Sequence, residues 1–336
     1  MKIGTFDATN AVLVIAEIGN NHEGSYSLAE EMVGKAIDAG ADAVKFQTIK
    51  TEHLVSTENP ERFAKLKGFE LTYNEFERLA GYTHQASSLF ISTPFDLESA
   101  QFLGTIVDGI KIASGDNTFY PLIEEAARTA KPLLISTGLA DMKQISKAKD
   151  LVYKTWQENK IDQDLALLHC VSAYPTPPNE ANLLTIPYLS ERLDCTIGYS
   201  DHTLGIDAAV AAVAMGARVI EKHFTLDNNY SDFRDHQLSA NPETLKAMVG
   251  KIRDMEIMLG TSEALLQDSE KEGVTAYRRS IVAAHNLAAG TTLNITDITW
   301  VRPGDGLSPG NEAMILGRQL KQDVSQGHQL NTQDLF

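Results

Sequence analysis

Residues Thr196–Thr225 read TIGYSDHTLGIDAAVAAVAMGARVIEKHFT. Each end is a short apolar run that finishes in polar residues, and the alanine-rich middle is a helix former. Strand, helix, strand is the pattern of a parallel crossover. His202 and His223 stand at the C-terminal ends of the two strands. Parallel neighbours present those ends on one rim, where two neutral imidazoles can share a divalent metal. Either histidine alone is equally well a polar strand end with a local hydrogen bond. As a pair they read as metal ligands.

Working outward, the same unit recurs. Strand-like runs occupy Val12–Gly19, Ala43–Ile49, Leu89–Phe95, Gly109–Ser114, Pro132–Gly138, Leu165–Val171, Thr196–His202 and Val219–Thr225. Helical patterns lie between them, among them Ser27–Ala39, Tyr73–Ala86, Pro121–Thr129 and Asp207–Met215. Eight strand–helix units in about 250 residues predict an α/β fold, a (β/α)8 TIM barrel. Its last helix falls on Pro242–Leu259, capped by Asn241.

Nearly every strand ends in chemically capable residues, and in this architecture the C-terminal rim carries the active site. Lys45 and Lys111 sit inside apolar strands, where an ammonium is costly without a partner. With Ser114, Ser136, Ser172 and Ser200 they form a cationic, hydroxyl-rich ring suited to phosphate or phosphoenolpyruvate. A Schiff-base aldolase lysine is the competing chemistry, and a lysine snorkelling to solvent is the ordinary structural one. Glu17 closes the first strand and fits a general acid or base, or a partner for a rim lysine. Asp116 is a second candidate catalytic carboxylate, although Asp after a strand also makes a simple turn. Asn21-His22 reads as a structural turn with a polar edge, and Tyr174 can place a phenol over the rim. Asp235 and Arg302 are, by themselves, ordinary loop charges.

The totals set bounds. The 336 residues exceed what one core usually holds, which predicts a large domain over 1–260 and a small one over 276–336, joined by the polar stretch 261–275. The small domain, punctuated by glycines, reads as β-rich and too small for a pocket of its own. A net charge of −16 opposes nucleic-acid and anionic-membrane partners. Cys170 and Cys195 lack metal-type spacing and read as buried free thiols in a reducing cytoplasm. The opening residues turn polar too soon for a secretory signal, and no apolar run is long enough to span a membrane. A cytoplasmic location is expected.

Assembled, the motifs AEIGNNHEGS, DAVKFQT, ISTPFD, KIASGD, ISTG, LLHCVSAYPTP, IGYSDHTLG, VIEKHFTLD, RRSIVA and VRPGDG cover nearly the whole chain. In this order they resemble the sialic acid synthase family, the phosphoenolpyruvate-dependent nonulosonate synthases. That resemblance implies a barrel followed by an antifreeze-like (SAF) domain, which covers the partner's barrel in a domain-swapped homodimer. It implies condensation of phosphoenolpyruvate with the open-chain form of an N-acylated mannosamine-type sugar, with release of phosphate. By matching motif, His202 and His223 would hold manganese, with magnesium or cobalt as alternatives. Lys45, Thr93, Lys111, Ser114, Ser136, Ser172 and Ser200 would bind phosphoenolpyruvate, and Glu17 would be the acid/base. Gln47, Tyr174, Asp235, Tyr277 and Arg302 would contact the sugar.

Four positions depart from the family pattern. Asp116 stands where many members have glutamate, and Ser172 where some have asparagine. Phe233-Arg234 replace a frequent Gly-Pro, and Tyr277 a frequent phenylalanine. These departures bear on the sugar more than on the reaction. N-acetylmannosamine, giving N-acetylneuraminate, is the first expectation. A legionaminate or pseudaminate synthase using a 2,4-diacetamido-trideoxyhexose is the second. The alternatives from other classes are the Schiff-base aldolase and a non-catalytic carbohydrate-binding barrel.

Overall fold

The computed structural model describes residues 1–336, which divide into two compact units, Met1–Gly260 and Thr261–Phe336. In the first, eight parallel strands close into a barrel: β1 (Leu13–Gly19), β2 (Ala43–Thr48), β3 (Leu89–Pro94), β4 (Gly109–Ile112), β5 (Leu133–Ser136), β6 (Leu165–Cys170), β7 (Thr196–Asp201) and β8 (Val219–His223). Consecutive strands are neighbours, and β8 closes on β1. All eight expected strands are present, but most stop one or two residues short of the expected ends. The trimmed residues leave the hydrogen-bond ladder to face the rim: Ser114 opens a 3-10 turn, and Gly138 and His202 lie beyond their strands.

Side chains alternate across each strand, so one parity of every strand points into the barrel. The inward set is layered. Its floor is apolar, built from Leu13, Ile15, Ala43, Leu89, Ile91, Leu134, Ala166, Leu168 and Val219. The next inward residues up the strands are Glu17, Lys45, Thr93, Lys111, Ser136, Cys170, Ser200 and Glu221. An antiparallel hairpin, Lys2–Ile3 with Phe6–Asp7, packs Met1, Ile3 and Ala8 into the same floor cluster. Gly109 makes room for this plug, since a Cβ there would lie 2.5 Å from Ile3 Cδ1.

The outward parity packs on the helices. Val14, Ala16, Val44, Phe46 and Phe90 join Met32, Val33, Phe76 and Leu79 in one continuous cluster. The helices start where caps allow. The Thr72 side chain accepts from Glu75 N to open Tyr73–Gln85, and Asn241 caps Pro242–Leu259 as expected. The helix Pro60–Phe69 buries none of its residues.

The second unit is mostly turns. A short helix, Gly273–Tyr277, precedes β9 (Ser280–Ala283), which pairs antiparallel with β10 (Ile298–Val301). Four isolated bridges supply the remaining strand pairing, and Ile281, Leu293, Ile315, Leu320 and Leu330 fill a small core. No helix is long and apolar enough to cross a membrane. Both cysteines are free, but Cys195 is only half-buried, because it precedes β7 rather than lying in its ladder.

Candidate active site

At the rim the inward residues line a narrow, polar cavity. Glu17, Lys45, Gln47, Thr93, Lys111, Ser114, Ser136, Tyr174, Ser200, His202 and His223 all line it, as do Cys170 and Glu221. Four buried ionised groups alternate in sign. Lys45 Nζ is 2.8 Å from Glu17 Oε2 and 3.8 Å from Glu221 Oε2, while Lys111 Nζ is 3.7 Å from Glu221 Oε1. Lys45 also donates to Thr93 Oγ1 (3.1 Å), and Lys111 to Ser136 Oγ (2.6 Å). Ser200 Oγ donates to Glu221 Oε1 (2.8 Å), and Gln47 Nε2 to Glu17 Oε1 (2.9 Å).

The two lysines are not equivalent. Burial pushes the Lys45 ammonium down, but Glu17 and Glu221 outweigh it and leave its pKa above the ordinary value. Lys111 has one carboxylate at a longer distance, and burial holds it below. Glu221, opposed by burial but flanked by both lysines, is drawn down to about 2. Lys111 is therefore the under-compensated cation, and an arriving anion gains most beside it.

Two hydroxyls stand ready on that side. Ser114 Oγ and Ser172 Oγ are buried without a hydrogen-bond partner. They flank Gly138, where an added Cβ would lie 2.6 Å from Ser114 Oγ and 2.5 Å from Ser172 Oγ. Buried polar atoms are rarely left unsatisfied, so the pair marks a place for a ligand's oxygens.

The histidines face the cavity from β7 and β8, with ring centroids 5.4 Å apart. His202 Nδ1 lies 2.9 Å from the Val171 carbonyl, which can only accept. Nδ1 therefore carries the proton and Nε2 keeps its lone pair. His223 Nδ1 is buried and has no partner. Such donors suit a divalent cation that takes its other ligands from substrate or water, since no third His, Cys, Asp or Glu joins them in a metal-holding cluster. The Tyr174 ring lies 4.2 Å from the His202 ring, centroid to centroid and tilted against it, and burial keeps its phenol protonated.

Other expected residues lie elsewhere. Asp116 sits in the 3-10 turn Ser114–Asp116, outside the cavity lining, and burial raises its carboxyl pKa. The turn follows β4 directly, so Asp116 stands at the C-terminal end of the barrel without lining this cavity. Ser172 belongs to a neighbouring groove and reaches the site only through its hydroxyl at Gly138. Asp235 lies on the short helix Arg234–Leu238, with Oδ1 buried and lacking a hydrogen bond. Tyr277 and Arg302 are in the second unit, where the guanidinium lies 5.6 Å over the phenol ring. The sequence reading assigned no role to Glu221 or Cys170. Parity supplied the signal, since Glu221 shares a face with His223 and Cys170 with Leu168.

The profile described as the NeuB family matches residues 32–264, and that of the SAF domain matches residues 278–335. The chain belongs to the NeuB family. Within it, the chain is 43% identical to an uncharacterized protein of Methanocaldococcus jannaschii, over 96% of this chain and 94% of that one. It is 38% identical to the N,N'-diacetyllegionaminic acid synthase of Legionella pneumophila, over 94% and 92%. Among solved structures it resembles the N-acetylneuraminic acid synthetase of Leptospira borgpetersenii, determined with citrate. That match has a TM-score of 0.76 and 35% identity, covering 82% of this chain and 94% of that one. The expected family and its two-part architecture are thus both present.

Proposed function

We propose that this protein condenses phosphoenolpyruvate with the open-chain aldehyde of an N-acylated mannosamine-type sugar, forming a nonulosonic acid and phosphate. The observation that carries the reading is the pair of unpartnered hydroxyls at Gly138, Ser114 and Ser172, of which Ser114 shares one cavity with under-compensated Lys111 and the two imidazoles. The relatives named as nonulosonate synthases support it.

In this reading Lys111, Ser114, Ser136 and Ser172 hold the phosphate group and offset its charge throughout the reaction. C3 of phosphoenolpyruvate bonds to the aldehyde carbon, water adds at C2, and the C2–O bond breaks to release phosphate. Glu17 accepts the proton of the adding water, and its contacts with Lys45 and Gln47 fix the position of its carboxylate. His202 and His223 would hold the divalent cation, manganese first, which supplies Lewis acidity toward the aldehyde oxygen when bound. A dimer in which Tyr277 and Arg302 serve the partner's barrel belongs to the same proposal, as does a cytoplasmic location.

N-acetylmannosamine is the first sugar proposed. The 38% identity to the Legionella enzyme favours a 2,4-diacetamido-trideoxyhexose as the second. The test is phosphate release from phosphoenolpyruvate with each aldose, with and without chelator and added manganese. Release that stops with chelator and returns with manganese is expected. Activity that survives chelation, with borohydride trapping a keto substrate on Lys111, would replace the reading by a Schiff-base aldolase.

A further inference from the structure

The chain after β5 makes a turn that its own residues do not favour. Ala140 N donates to the Thr137 carbonyl at 3.4 Å and closes a four-residue turn. Its third residue, Leu139, has φ +62°, whereas Gly138 before it lies outside the left-handed region. That is the type II pattern, in which the central peptide is turned over relative to type I and the third residue is usually glycine. Leucine is strained there, and its side chain, 77% exposed, gains little from packing. Asn117 supplies the compensation. It follows the 3-10 turn after β4 and is buried. Its Nδ2 donates to the Gly138 carbonyl at 2.7 Å and to the Ser136 carbonyl at 3.1 Å. Both partners can only accept, so the amide nitrogen must face the turn.

We propose that Asn117 is a positioning residue: it holds the Gly138–Leu139 peptide turned over, and so keeps an N–H edge rather than a carbonyl oxygen beside the phosphate end of the site. The inference rests on the function proposed above and deepens it. In a trans peptide C=O and N–H point opposite ways, so a Gly138 oxygen held at Asn117 turns the Leu139 N–H away from it. On that far side lies the groove that Leu139 and Ser172 line and Asn117 does not. Neither the Gly138 N–H nor the Leu139 N–H has a backbone partner. A return to the type I form would put a carbonyl oxygen in place of the Leu139 N–H. That oxygen would accept from the waiting Ser172 hydroxyl and repel an arriving phosphate. The root of the turn is tied separately. Thr137 N donates to the Leu168 carbonyl at 2.9 Å, and Lys111 donates to Ser136 Oγ at 2.6 Å. Loss of the Asn117 donors therefore frees chiefly the central peptide, not the end of β5.

The test measures, on the full-length protein, calorimetric affinity for phosphoenolpyruvate and inorganic phosphate with manganese present. Manganese affinity is read alongside by electron paramagnetic resonance. Asn117→Leu keeps much of the shape without a donor, and its methyl groups meet Ile135, Ile145 and Leu167 around a small cavity that Asn117 lines. Both anion affinities should fall about 10- to 100-fold, the range of one hydrogen bond to a charged group, while manganese affinity holds. Glycine takes a positive φ without strain, so Asn117→Leu/Leu139→Gly should regain about 5-fold or more of the loss. A fall that Leu139→Gly does not reverse would trace the loss to packing and overturn the proposal. An equal loss of manganese affinity would overturn it as well, and so would unchanged anion affinity in Asn117→Leu. Should Asn117→Leu fail to fold, Leu139→Val carries the test at an exposed position. Its β-branched side chain resists a positive φ, so the same two affinities should fall, and wild-type affinity there would overturn the proposal. No binding of either anion by wild type would overturn the phosphate site and the proposed function together. Wild-type binding that these variants leave untouched would remove the Asn117 role alone.

Discussion

Lys222 Nζ lies 2.8 Å from Asp201 Oδ2 with both side chains sealed from solvent, and each residue immediately precedes one of the two rim histidines. The pair occupies the outward parity of β7 and β8, so it clips the two strands together behind the imidazoles. Asp201 Oδ1 accepts from Thr203 N at 2.8 Å and from the Tyr199 hydroxyl at 3.2 Å, while Lys222 donates to the Thr203 carbonyl at 2.5 Å. His202 is thus held on both sides. Replacing one partner leaves a buried unpaired charge, so Lys222→Met should cost about 3–5 kcal/mol in chemical denaturation. Asp201→Leu/Lys222→Met should recover much of that stability. Manganese affinity, read by electron paramagnetic resonance, should stay about 10-fold or more weaker in the double variant. Wild-type affinity there would mean that the clip serves folding alone.

Gly138 is the tightest point of the proposed phosphate site. A methyl group there occupies the space between the Ser114 and Ser172 hydroxyls. Gly138→Ala should fold, because the clash is with two hydroxyls on the cavity side. Calorimetric affinity for phosphoenolpyruvate should fall by more than about 10-fold, the worth of one hydrogen bond to a charged group. Retained affinity would move the phosphate away from these serines.

Glu17 sits between Lys45 and Gln47 and touches no other charged group within ion-pair range. Glu17→Gln keeps the shape and removes the base. Turnover should drop about 10²- to 10⁴-fold while phosphoenolpyruvate binding persists. A variant with near-normal kcat would transfer the proton role to another group.

The eight strands and the polar ring were legible because a strand's period of two makes burial visible as alternation. That same period places Glu221 beside His223, yet within the EKH triplet only the histidine was assigned a specific role. Beyond β4 the chain winds into a 3-10 turn at Ser114, where strand parity no longer tells which way Asp116 faces. The Arg234–Tyr174 contact joins residues 60 positions apart through loops, and no local pattern encodes it. The helix Pro60–Phe69 lacks a buried stripe, so periodicity was silent, although Asn59 and Pro60 form an ordinary helix start.

The barrel's core clusters lie wholly within the first unit and the small core within the second. A chain ending at Gly260 should therefore melt cooperatively and bind phosphoenolpyruvate. If the small unit of one copy completes the sugar site of another, this truncation should lose aldose turnover. Co-expression with full-length His202→Ala, itself inactive, should then restore turnover in mixed dimers. A truncated barrel with full activity would remove the small unit from the sugar site.

His22 offers a pH test away from the reacting groups. Its ring is buried against Phe46 with centroids 5.9 Å apart, and Nδ1 accepts from Gly24 N at 3.1 Å. Burial lowers its pKa from 6.5 to about 4. The unfolded chain therefore binds the proton first as pH falls, and stability rises with pH across this window. The contribution is fully present above about pH 6.5 and is lost as pH falls toward 4, for roughly 3 kcal/mol in all. Denaturant midpoints measured between pH 7 and 4 should show this loss. His22→Asn retains an acceptor for Gly24 N and cannot titrate, so its curve should be flatter by about that amount. Equal slopes in the two proteins would assign the acid sensitivity to other groups.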